Sequence, residues 1–425
     1  GFLMEKYIID GGNELHGDVE ISGMKNAALP ILIASILTKD TCIVENLPRI
    51  SDVRKSLDIL EAMGAAVERD DETSSVKINT ENVKGGISPY ELVSKMRGST
   101  YLIGAELARF GKAKVGWPGG CDFGVRPIDQ HIKGFEALGA KVTVDTDAGY
   151  IYAEAPNGLH GNSVYFDVVS VGATVNVMIA AVLAKGKTVI DNAAREPHIV
   201  DMANFLNAMG ANIRGAGTNT VKIKGVKEMR GGSYQIIPDQ IEAGTFMIAA
   251  AATGGDVLIK NVIPKHMESL TAKLIEVGAK VTELDDAIRV EGTDHLRATN
   301  VLTMPYPGFP TDLQPQMVAL LTKAQGVSVM VEGVWDNRFQ YTDELITMGA
   351  KINAAGKMAT IESVPELYGA PVKATDLRGG AAVVIAGLMA SGITEVTNTV
   401  FIDRGYERFE DKLRSLGAKI ERVEE

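Results

Sequence analysis

One short phrase recurs along this chain and constrains its fold more than any other feature. In each copy an apolar helix end is followed by Gly-Ala and then by an alternating strand pattern. The glycines recur about every seventy residues, at Gly64, Gly139, Gly210, Gly278, Gly349 and Gly417. This period is longer than that of common solenoids, so each copy predicts a small folded unit. The glycine suits the left-handed C-cap of a helix, from which the chain leaves as a strand.

Each copy also contains an earlier helix that is apolar nearly all round. These helices are predicted at residues 25–37, 90–110, 170–184, 240–252, 312–324 and 376–390. Because apolar residues cover every face, we expect the helices to be buried rather than amphipathic. A strand is predicted after each helix, at residues 41–45, 113–116, 188–192, 256–261, 327–332 and 394–398. Every unit therefore has the order strand-helix-strand-helix-strand-strand, which suits sheets wrapped around buried helices.

The length of the chain indicates that the six units form two domains. With 425 residues the chain is too long for one ordinary core. Three units would close one domain, and a composition shift at Arg-Gly-Gly-Ser, residues 230–233, marks the boundary. A hydrophobic fraction of 45% with 23% charged residues is typical of a soluble globular protein.

Charge and cysteine content exclude several classes of function. A net charge of −11 argues against a general nucleic-acid or anionic-membrane surface. The longest apolar runs are too short or too rich in glycine to span a membrane. Two cysteines suggest neither a disulfide framework nor a metal site, so a reducing cytoplasm is expected.

The two cysteines differ in their surroundings. Cys42 lies in an apolar, strand-like stretch and is expected in the core. Cys121 lies in a stretch, residues 116–127, whose four glycines and two prolines exclude a regular helix or a central strand. A thiol on such an open loop is suited to donating a proton or attacking a carbon. The alternative is a small residue in an irregular turn.

Further candidate residues lie where the buried helices begin. Lys25 and Asn26 open the first helix, where free N–H groups and the helix dipole favour an anion; a solvated lysine is the alternative. Arg97 interrupts an apolar helix, and its side chain is expected either to form a buried ion pair or to contact a ligand. Ser170 with Gly172 suits plain helix capping or close approach of a phosphate.

The second half of the chain offers the same choice between structural and chemical roles. Thr311 suits a helix N-cap and Asp312 a first-turn acid, although Asp312 also suits a general base. Val334 follows a strand on a loop and is uninformative alone. The acids and bases around Gly405 suit a structural ion-pair network, or they direct Arg404 at an anion.

Taken together, these motifs resemble a known family. Gly-Cys-x-x-Gly-x-Arg-Pro, Gly-x-Lys-Asn-Ala-Ala-Leu-Pro, Phe-Pro-Thr-Asp, Asp-Leu-Arg and Asp-Arg-Gly-Tyr-Glu-Arg are similar to those of the UDP-N-acetylglucosamine 1-carboxyvinyltransferases, within the EPSP synthase family. The match runs in order, with matching spacing, over residues 7–423. It implies two inside-out α/β barrel domains, each of three βαβαββ repeats. Residues 22–234 would form the first domain, which carries the Cys121 loop as a lid, and residues 1–21 with 235–425 the second.

The resemblance also implies a reaction. Such enzymes move the enolpyruvyl group of phosphoenolpyruvate onto the 3-hydroxyl of UDP-N-acetylglucosamine and release phosphate, the first committed step of peptidoglycan synthesis. The implied partners are these two substrates, with no cofactor, no metal, no nucleic acid and no membrane. The implied location is the cytoplasm.

Residue roles follow from the same resemblance. Cys121 would donate the proton and form a covalent adduct, and Asp312 would take the proton of the sugar hydroxyl. Lys25, Arg126 and Arg404 would form a cationic cage around phosphoenolpyruvate. Asp376 and Arg378 would lie near the reacting centre. Asn26 is carried over as a substrate-binding residue beside Lys25. The positions implied to hold the nucleotide sugar are Arg97, Arg126, Pro127, Ile128, Asp129, Gln130, Val168, Val169, Ser170, Val171, Asp312 and Val334.

Two residues depart from the family pattern, and three other functions compete with it. Val168 stands where some members have a lysine against the phosphates, and Gln130 replaces an apolar residue. The sister enzyme acting on shikimate 3-phosphate does not use a cysteine such as Cys121. A silent paralogue that only senses the nucleotide sugar would not need that proton donor. An RNA-end-processing relative conflicts with the acidic net charge.

Overall fold

The computed structural model describes residues 4–85, 97–116 and 128–425, and the side chains of these except for Arg97 and Gly98. The chain separates into two compact units. The first unit lies within residues 23–237, and the second comprises residues 4–22 and 238–425. The domain boundaries expected from the sequence, near residues 22 and 235, stay a prediction.

Buried helices form the centre of the first unit. Among its described residues the buried helices are Lys25–Ala34, Tyr101–Phe110 and Val171–Ala181. Single 3₁₀ turns at Ser35–Leu37 and Arg97–Thr100 adjoin the first two. Outer helices occupy Ser51–Ala62, Asp129–Ala137 and Pro197–Ala208. The second and third buried helices approach closely at Gly104, where an added Cβ would lie 2.6 Å from the backbone oxygen of Asn176. Only glycine fits there.

Three sheets flank these helices in the described part of the first unit. In order of hydrogen-bonded neighbours they are Gly232–Gln235, Cys42–Glu45, Ser75–Asn79, Ala66–Asp70; then Lys112–Gly116, Tyr150–Glu154, Lys141–Asp145; and finally Asn212–Arg214, Thr220–Lys224, Lys187–Asp191, Ser163–Tyr165. In the four-stranded sheets the leading strand of each repeat runs parallel to its neighbour, and the remaining pairs are antiparallel. The strand faces alternate between buried and exposed side chains, so one face of each sheet covers the helices.

The second unit repeats this construction. Its buried helices are Gln240–Ala252, Gln314–Leu321 and Leu377–Met389. The outer helices are Glu268–Glu276, Thr342–Thr347 and Phe409–Ser415, with short turns at Pro264–Met267, Thr311–Leu313 and Val400–Asp403. The three buried helices contact one another pairwise. Every residue of the first two is buried, which confirms that these apolar helices have no solvent face.

Three four-stranded sheets surround these helices. They are His16–Glu20, Asp256–Lys260, Ala287–Glu291, Lys280–Glu283; then Asn300–Leu302, Val327–Val331, Met358–Glu362, Lys351–Ala355; and Pro371–Lys373, Ile393–Thr397, Glu5–Asp10, Lys419–Glu424. The strand near the N-terminus lies between two strands from the end of the chain, with Ile8 opposite Glu395 on one side and Glu421 on the other. The implied addition of this strand to the C-terminal half is confirmed.

The recurring glycines behave as predicted. All six have positive φ, from 96° at Gly139 to 111° at Gly64. Each ends an outer helix and starts the strand that follows, because the left-handed conformation turns the chain at little steric cost. The predicted α/β class with buried helices inside and sheets outside is confirmed, and Cys42 is buried in its strand.

Several predicted helix bounds were too long. The helix predicted at residues 312–324 is a 3₁₀ turn followed by Gln314–Leu321, and the one predicted at 170–184 is Val171–Ala181. Within residues 4–85, 97–116 and 128–425, no helix combines the length and apolarity needed to cross a membrane.

Candidate active site

Lys25 is held by a carboxylate in the first unit. Its Nζ lies 2.7 Å from Oδ2 of Asp52, with the side chains 12% and 5% exposed respectively. Asp52 is in the first turn of the outer helix Ser51–Ala62. The alternative of a solvated lysine is therefore excluded. Asn26 follows in the first helical turn and is half-buried.

Two candidate nucleotide-sugar segments adjoin each other in the first unit. Ile128 precedes the helix that begins at Asp129, and Oε1 of Gln130 accepts a hydrogen bond from the backbone N–H of Asp167 at 2.8 Å. The ammonium of Lys133 lies 3.1 Å from both carboxylate oxygens of Asp167. Lys133 and Gln130 together lower the pKa of Asp167. Gln130, a departure from the family pattern, thus fastens the segment that contains Val168.

The residues after Asp167 lead into the third buried helix. Val168 and Val169 are exposed, and Ser170 is the N-cap, its hydroxyl accepting from the backbone N–H of Ala173 at 3.1 Å. Val171 is the first helical residue. The capping role of Ser170 is confirmed.

Asp312 is paired with a buried arginine in the second unit. Nη1 of Arg338 lies 3.2 Å from Oδ1 of Asp312, and the two side chains are 3% and 31% exposed. Asp312 occupies the 3₁₀ turn Thr311–Leu313, just ahead of a buried helix. The pairing fixes one oxygen of the carboxylate, and the partial exposure leaves the group within reach of a substrate proton, as a general base requires.

The expected N-cap role of Thr311 is wrong. Its side chain caps neither the 3₁₀ turn nor the following helix. The hydroxyl instead donates to Oε1 of Glu332 at 2.8 Å and accepts from Nη1 of Arg338 at 3.1 Å. A buried carboxylate is the stronger acceptor, so it takes the hydroxyl hydrogen.

Glu332 connects this turn to the loop that carries Val334. Its Oε2 accepts from the backbone N–H groups of Val334 and Trp335 at 3.0 and 3.1 Å. Val334 was uninformative from sequence alone; the structure shows its backbone anchored to the carboxylate that Thr311 also contacts.

Asp376 and Arg378 lie at the start of the last buried helix. Asp376 is its N-cap and accepts from the backbone N–H of Gly379. Arg378 is buried, with its guanidinium carbon 5.2 Å from the ring centre of Tyr406. Burial alone would lower the pKa of Arg378, but Tyr406 and Asp312 outweigh it and raise the pKa above its ordinary value. Nη1 of Arg378 is buried without a hydrogen-bond partner among the described residues, so it suits an anionic ligand.

A buried amide links Asp312 to the ring beside Arg378. Nε2 of Gln316 lies 2.9 Å from the backbone oxygen of Asp312 and 3.2 Å from the hydroxyl of Tyr406. The positions of Asp312 and Arg378 in this unit are therefore coupled through two side chains.

Arg404 follows the short helix Val400–Asp403. Of the charged residues around Gly405, Asp403 joins an ion-pair network that is centred on Arg422 and not on the run itself: Arg422 lies 2.6 Å from Asp403, 2.8 Å from Glu410 and 2.6 Å from Glu5. This network joins the turn before Arg404 to two strands of the sheet and to the helix Phe409–Ser415.

The described candidate residues divide between the two units. Lys25, Asn26, residues 128–130 and residues 168–171 belong to the first unit; Asp312, Val334, Asp376, Arg378 and Arg404 belong to the second. Cys121, Arg126 and Pro127 lie outside the described residues, as does the side chain of Arg97. In the part of the chain that the structure describes, no cluster of three His, Cys, Asp or Glu side chains could hold a metal ion.

Several residues around these sets were not found from the sequence. Their contacts with candidate residues join parts of the chain that are distant in sequence, or come from positions without a distinctive sequence signal. These residues are Asp52, Gln316, Glu332, Arg338 and Tyr406. For Glu332 a signal existed. Four of the repeats place asparagine after the central strand, and the fifth has this glutamate instead.

Comparison with known proteins places the chain in a family. Residues 9–413 match the family model described as EPSP synthase (3-phosphoshikimate 1-carboxyvinyltransferase). The fold is similar to that of the enolpyruvyl transferase NikO from Streptomyces tendae, with a TM-score of 0.88, 24% identity and complete coverage of both chains. EPSP synthase from Acinetobacter baumannii has a TM-score of 0.78 at 19% identity, over 99% of this chain and 100% of that one.

Several proteins are more similar to this chain in sequence than these solved structures are. UDP-N-acetylglucosamine 1-carboxyvinyltransferase 3 of Caldanaerobacter subterraneus subsp. tengcongensis is 54% identical over 99% of this chain and 100% of its own length. UDP-N-acetylglucosamine 1-carboxyvinyltransferase 2 of Bacillus subtilis is 52% identical, over 98% of this chain and 96% of its own. The chain therefore belongs to the EPSP synthase family, within its group of UDP-N-acetylglucosamine 1-carboxyvinyltransferases.

Proposed function

We propose that this chain is an enolpyruvyl transferase that joins the enolpyruvyl group of phosphoenolpyruvate to the 3-hydroxyl of UDP-N-acetylglucosamine, with release of phosphate. The observation that carries the proposal is identity above one half, over almost the whole chain, to relatives with that activity in their names. The product would enter peptidoglycan synthesis.

The chemistry assigns an acid and a base. Protonation of the methylene carbon of phosphoenolpyruvate makes its neighbouring carbon electrophilic, and the sugar hydroxyl attacks that carbon as it gives up its proton. The tetrahedral intermediate then loses phosphate together with a proton from the new methyl group, which restores the carbon–carbon double bond. We assign Asp312 as the group that takes the hydroxyl proton. Its partly exposed carboxylate and its pairing with Arg338 support this role. We assign Cys121 as the proton donor on the strength of its glycine-rich loop motif.

The anionic donor requires cations. Lys25, Arg126 and Arg404 are proposed to bind phosphoenolpyruvate, and Arg378 with Asp376 to lie close to the reacting carbon. The buried Nη1 of Arg378 supports an anion there, because a guanidinium N–H rarely stays unpaired in a protein interior. These cations would also stabilise the negative charge of the departing phosphate.

The nucleotide sugar is assigned to loops and helix starts. The proposed contacts are Arg97, residues 126–130, residues 168–171, Asp312 and Val334, and Asn26 is proposed to bind substrate beside Lys25. Support comes from the first unit, where Gln130 and Lys133 fasten the loop that carries Val168. Because Val168 has no charge, the phosphates there would be met by backbone N–H groups at the helix start capped by Ser170.

We also propose a cytoplasmic location, because Cys42 is a free thiol and the two cysteines predict no disulfide framework.

Phosphate release tests the proposed function. The purified chain is mixed with phosphoenolpyruvate and either UDP-N-acetylglucosamine or shikimate 3-phosphate, and released phosphate is measured over time. We expect release with the nucleotide sugar alone. Release with shikimate 3-phosphate alone would assign the sister activity, and release with neither acceptor would favour a binding paralogue.

A further inference from the structure

Asparagine has a constant structural task in four of the six repeats. Asn46, Asn192, Asn261 and Asn398 each follow the central strand of a sheet and have φ between 58° and 61°. Their Nδ2 groups donate to a backbone oxygen at the end of the parallel neighbouring strand, at Ile236, Phe166, Ile21 and Ala374 respectively. The side chain thereby fastens the ends of two parallel strands.

The fifth repeat has Glu332 at this place. The alignment follows from the ladder, because Val331 accepts from the N–H of Thr303 as Asp191 accepts from that of Phe166. Glu332 is not in the left-handed conformation. A carboxylate cannot donate to a backbone oxygen as asparagine does, and Oε2 instead accepts from the hydroxyl of Thr303 at 2.7 Å. A side-chain hydrogen bond therefore still joins the ends of the two parallel strands, but Glu332 accepts this bond whereas the asparagines donate it.

The carboxylate of Glu332 has more partners than strand fastening requires. Besides Thr303 and the N–H groups of Val334 and Trp335, it accepts from the hydroxyl of Thr311 at 2.8 Å and from Nε2 of Gln314 at 3.3 Å. The side chain is 1% exposed. Burial of a charged carboxylate is costly unless donors surround it, and here five donors do so. Two of the extra donors belong to the candidate site: Val334 is a candidate residue, and Thr311 precedes Asp312.

These bonds form a short relay to Asp312. Thr311 gives its hydrogen to Glu332, and its oxygen accepts from Arg338, whose guanidinium can only donate. Nη1 of Arg338 lies 3.1 Å from that oxygen and 3.2 Å from Oδ1 of Asp312. Without the carboxylate, the Thr311 hydroxyl would lose its acceptor, and Glu332 would no longer fix the side-chain rotamer that presents the Thr311 oxygen to Arg338.

We propose that Glu332 is a positioning residue that orients the carboxylate of Asp312 through Thr311 and Arg338, and that also fixes the loop at Val334. The inference rests on the proposed function, in which Asp312 is the base and Val334 contacts the nucleotide sugar. Replacement of the repeat's asparagine by glutamate thus adapts a structural position in one repeat to serve the reaction.

The test begins with Glu332→Gln, which keeps the size of the side chain but turns one acceptor into a donor. We expect kcat with phosphoenolpyruvate and UDP-N-acetylglucosamine to fall about 30-fold, the size of one lost charge-assisted hydrogen bond. The KM for phosphoenolpyruvate should stay within about two-fold, because no cation assigned to that substrate is touched. Thr311→Val removes the relay hydroxyl at constant shape and should reproduce the fall in kcat. Thr311→Ser keeps the hydroxyl and should restore kcat to within about three-fold of the parent chain.

The double variant separates a relay from two unrelated defects. If Glu332 acts through Thr311, Glu332→Gln combined with Thr311→Val should lower kcat no further than either change alone. The matched control is Asn261→Gly, which removes the equivalent side chain in the neighbouring repeat while allowing its left-handed backbone. This control should lower the melting temperature and leave kcat within about two-fold.

The outcomes distinguish this inference from the proposed function. A parent chain without turnover would refute both. An active parent with Glu332→Gln at parental kcat, or with multiplicative losses in the double variant, would overturn the relay alone. If Glu332→Gln fails to fold, Thr311→Val decides: parental kcat refutes the relay, and a fall reversed by Thr311→Ser supports it.

Discussion

The buried pair of Lys25 and Asp52 gives the sharpest stability prediction. Asp52→Asn keeps the shape of the side chain and removes its charge. At 2.7 Å and an effective dielectric constant of about 20, the gross attraction between the two charges is ~6 kcal/mol. Desolvation offsets part of this. Removing one partner of a buried pair costs about 3 to 5 kcal/mol, and the residual exposure of Lys25 favours the lower end. We therefore expect Asp52→Asn to lower the free energy of unfolding by about 3 kcal/mol.

A double-mutant cycle tests the cause. Lys25→Met alone should also be destabilising, because it leaves the carboxylate of Asp52 without this ammonium. The loss in the double variant should be about 2 kcal/mol smaller than the sum of the two single losses. The free energies of unfolding come from urea titrations followed by circular dichroism and extrapolated to water.

Two results would refute the reasoning. Asp52→Asn within about 0.5 kcal/mol of the parent would show that the pair is effectively solvated, as measured for surface ion pairs. Strictly additive losses in the double variant would show that each residue is held by something other than its partner.

Three more predictions concern individual side chains. Burial raises the pKa of the Cys42 thiol to about 11, so epoxide alkylators of the fosfomycin kind should label Cys121 alone at neutral pH; mass spectrometry should find no label in Cys121→Ser, and label on Cys42 would contradict this. Burial raises the pKa of Asp239 to about 6, from an ordinary 3.8, so its stabilising contribution is complete below that ordinary value and is lost as the pH rises through 6. In urea titrations, the free energy of unfolding of the parent should fall by ~3 kcal/mol relative to that of Asp239→Asn between about pH 4 and pH 7. A difference between the two free energies that does not change with pH would refute the shift. Asp312→Ala should lower kcat at least about 100-fold while calorimetry shows UDP-N-acetylglucosamine binding weakened less than about ten-fold; equal losses would make Asp312 a binding residue.

The fold could be predicted from the sequence because its signals are local and repeated. The helix-ending glycines at Gly64 and its five equivalents each specify a left-handed turn without help from distant residues. The buried helices could be predicted because their residues offer no polar face for solvent, as Gln240–Ala252 shows. Helix starts were less predictable. Thr311 has the right residue type for an N-cap, but a buried carboxylate some twenty residues further along the chain takes its hydroxyl hydrogen.

Candidate site residues were predicted by motif, whereas their supports were not. Asp312 stood out from the sequence, but its partner Arg338 is 26 residues away and gives no local signal. Asp52 looks like an ordinary first-turn acid until the fold places it against Lys25. Such contacts depend on which helices and strands become neighbours. Glu332 is different, because alignment of the six repeats with one another is enough to show the exchange of asparagine for glutamate.

The fate of the bridging oxygen of phosphoenolpyruvate tests the central claim most directly. Enolpyruvyl transfer breaks the bond between this oxygen and the carbon, so a heavy-oxygen label at the bridge should leave entirely with the released phosphate. Mass spectrometry should then find UDP-N-acetylglucosamine enlarged by one unlabelled enolpyruvyl group. Label retained on the three-carbon product would mean that the phosphorus–oxygen bond breaks instead, and transfer of the enolpyruvyl group would be contradicted.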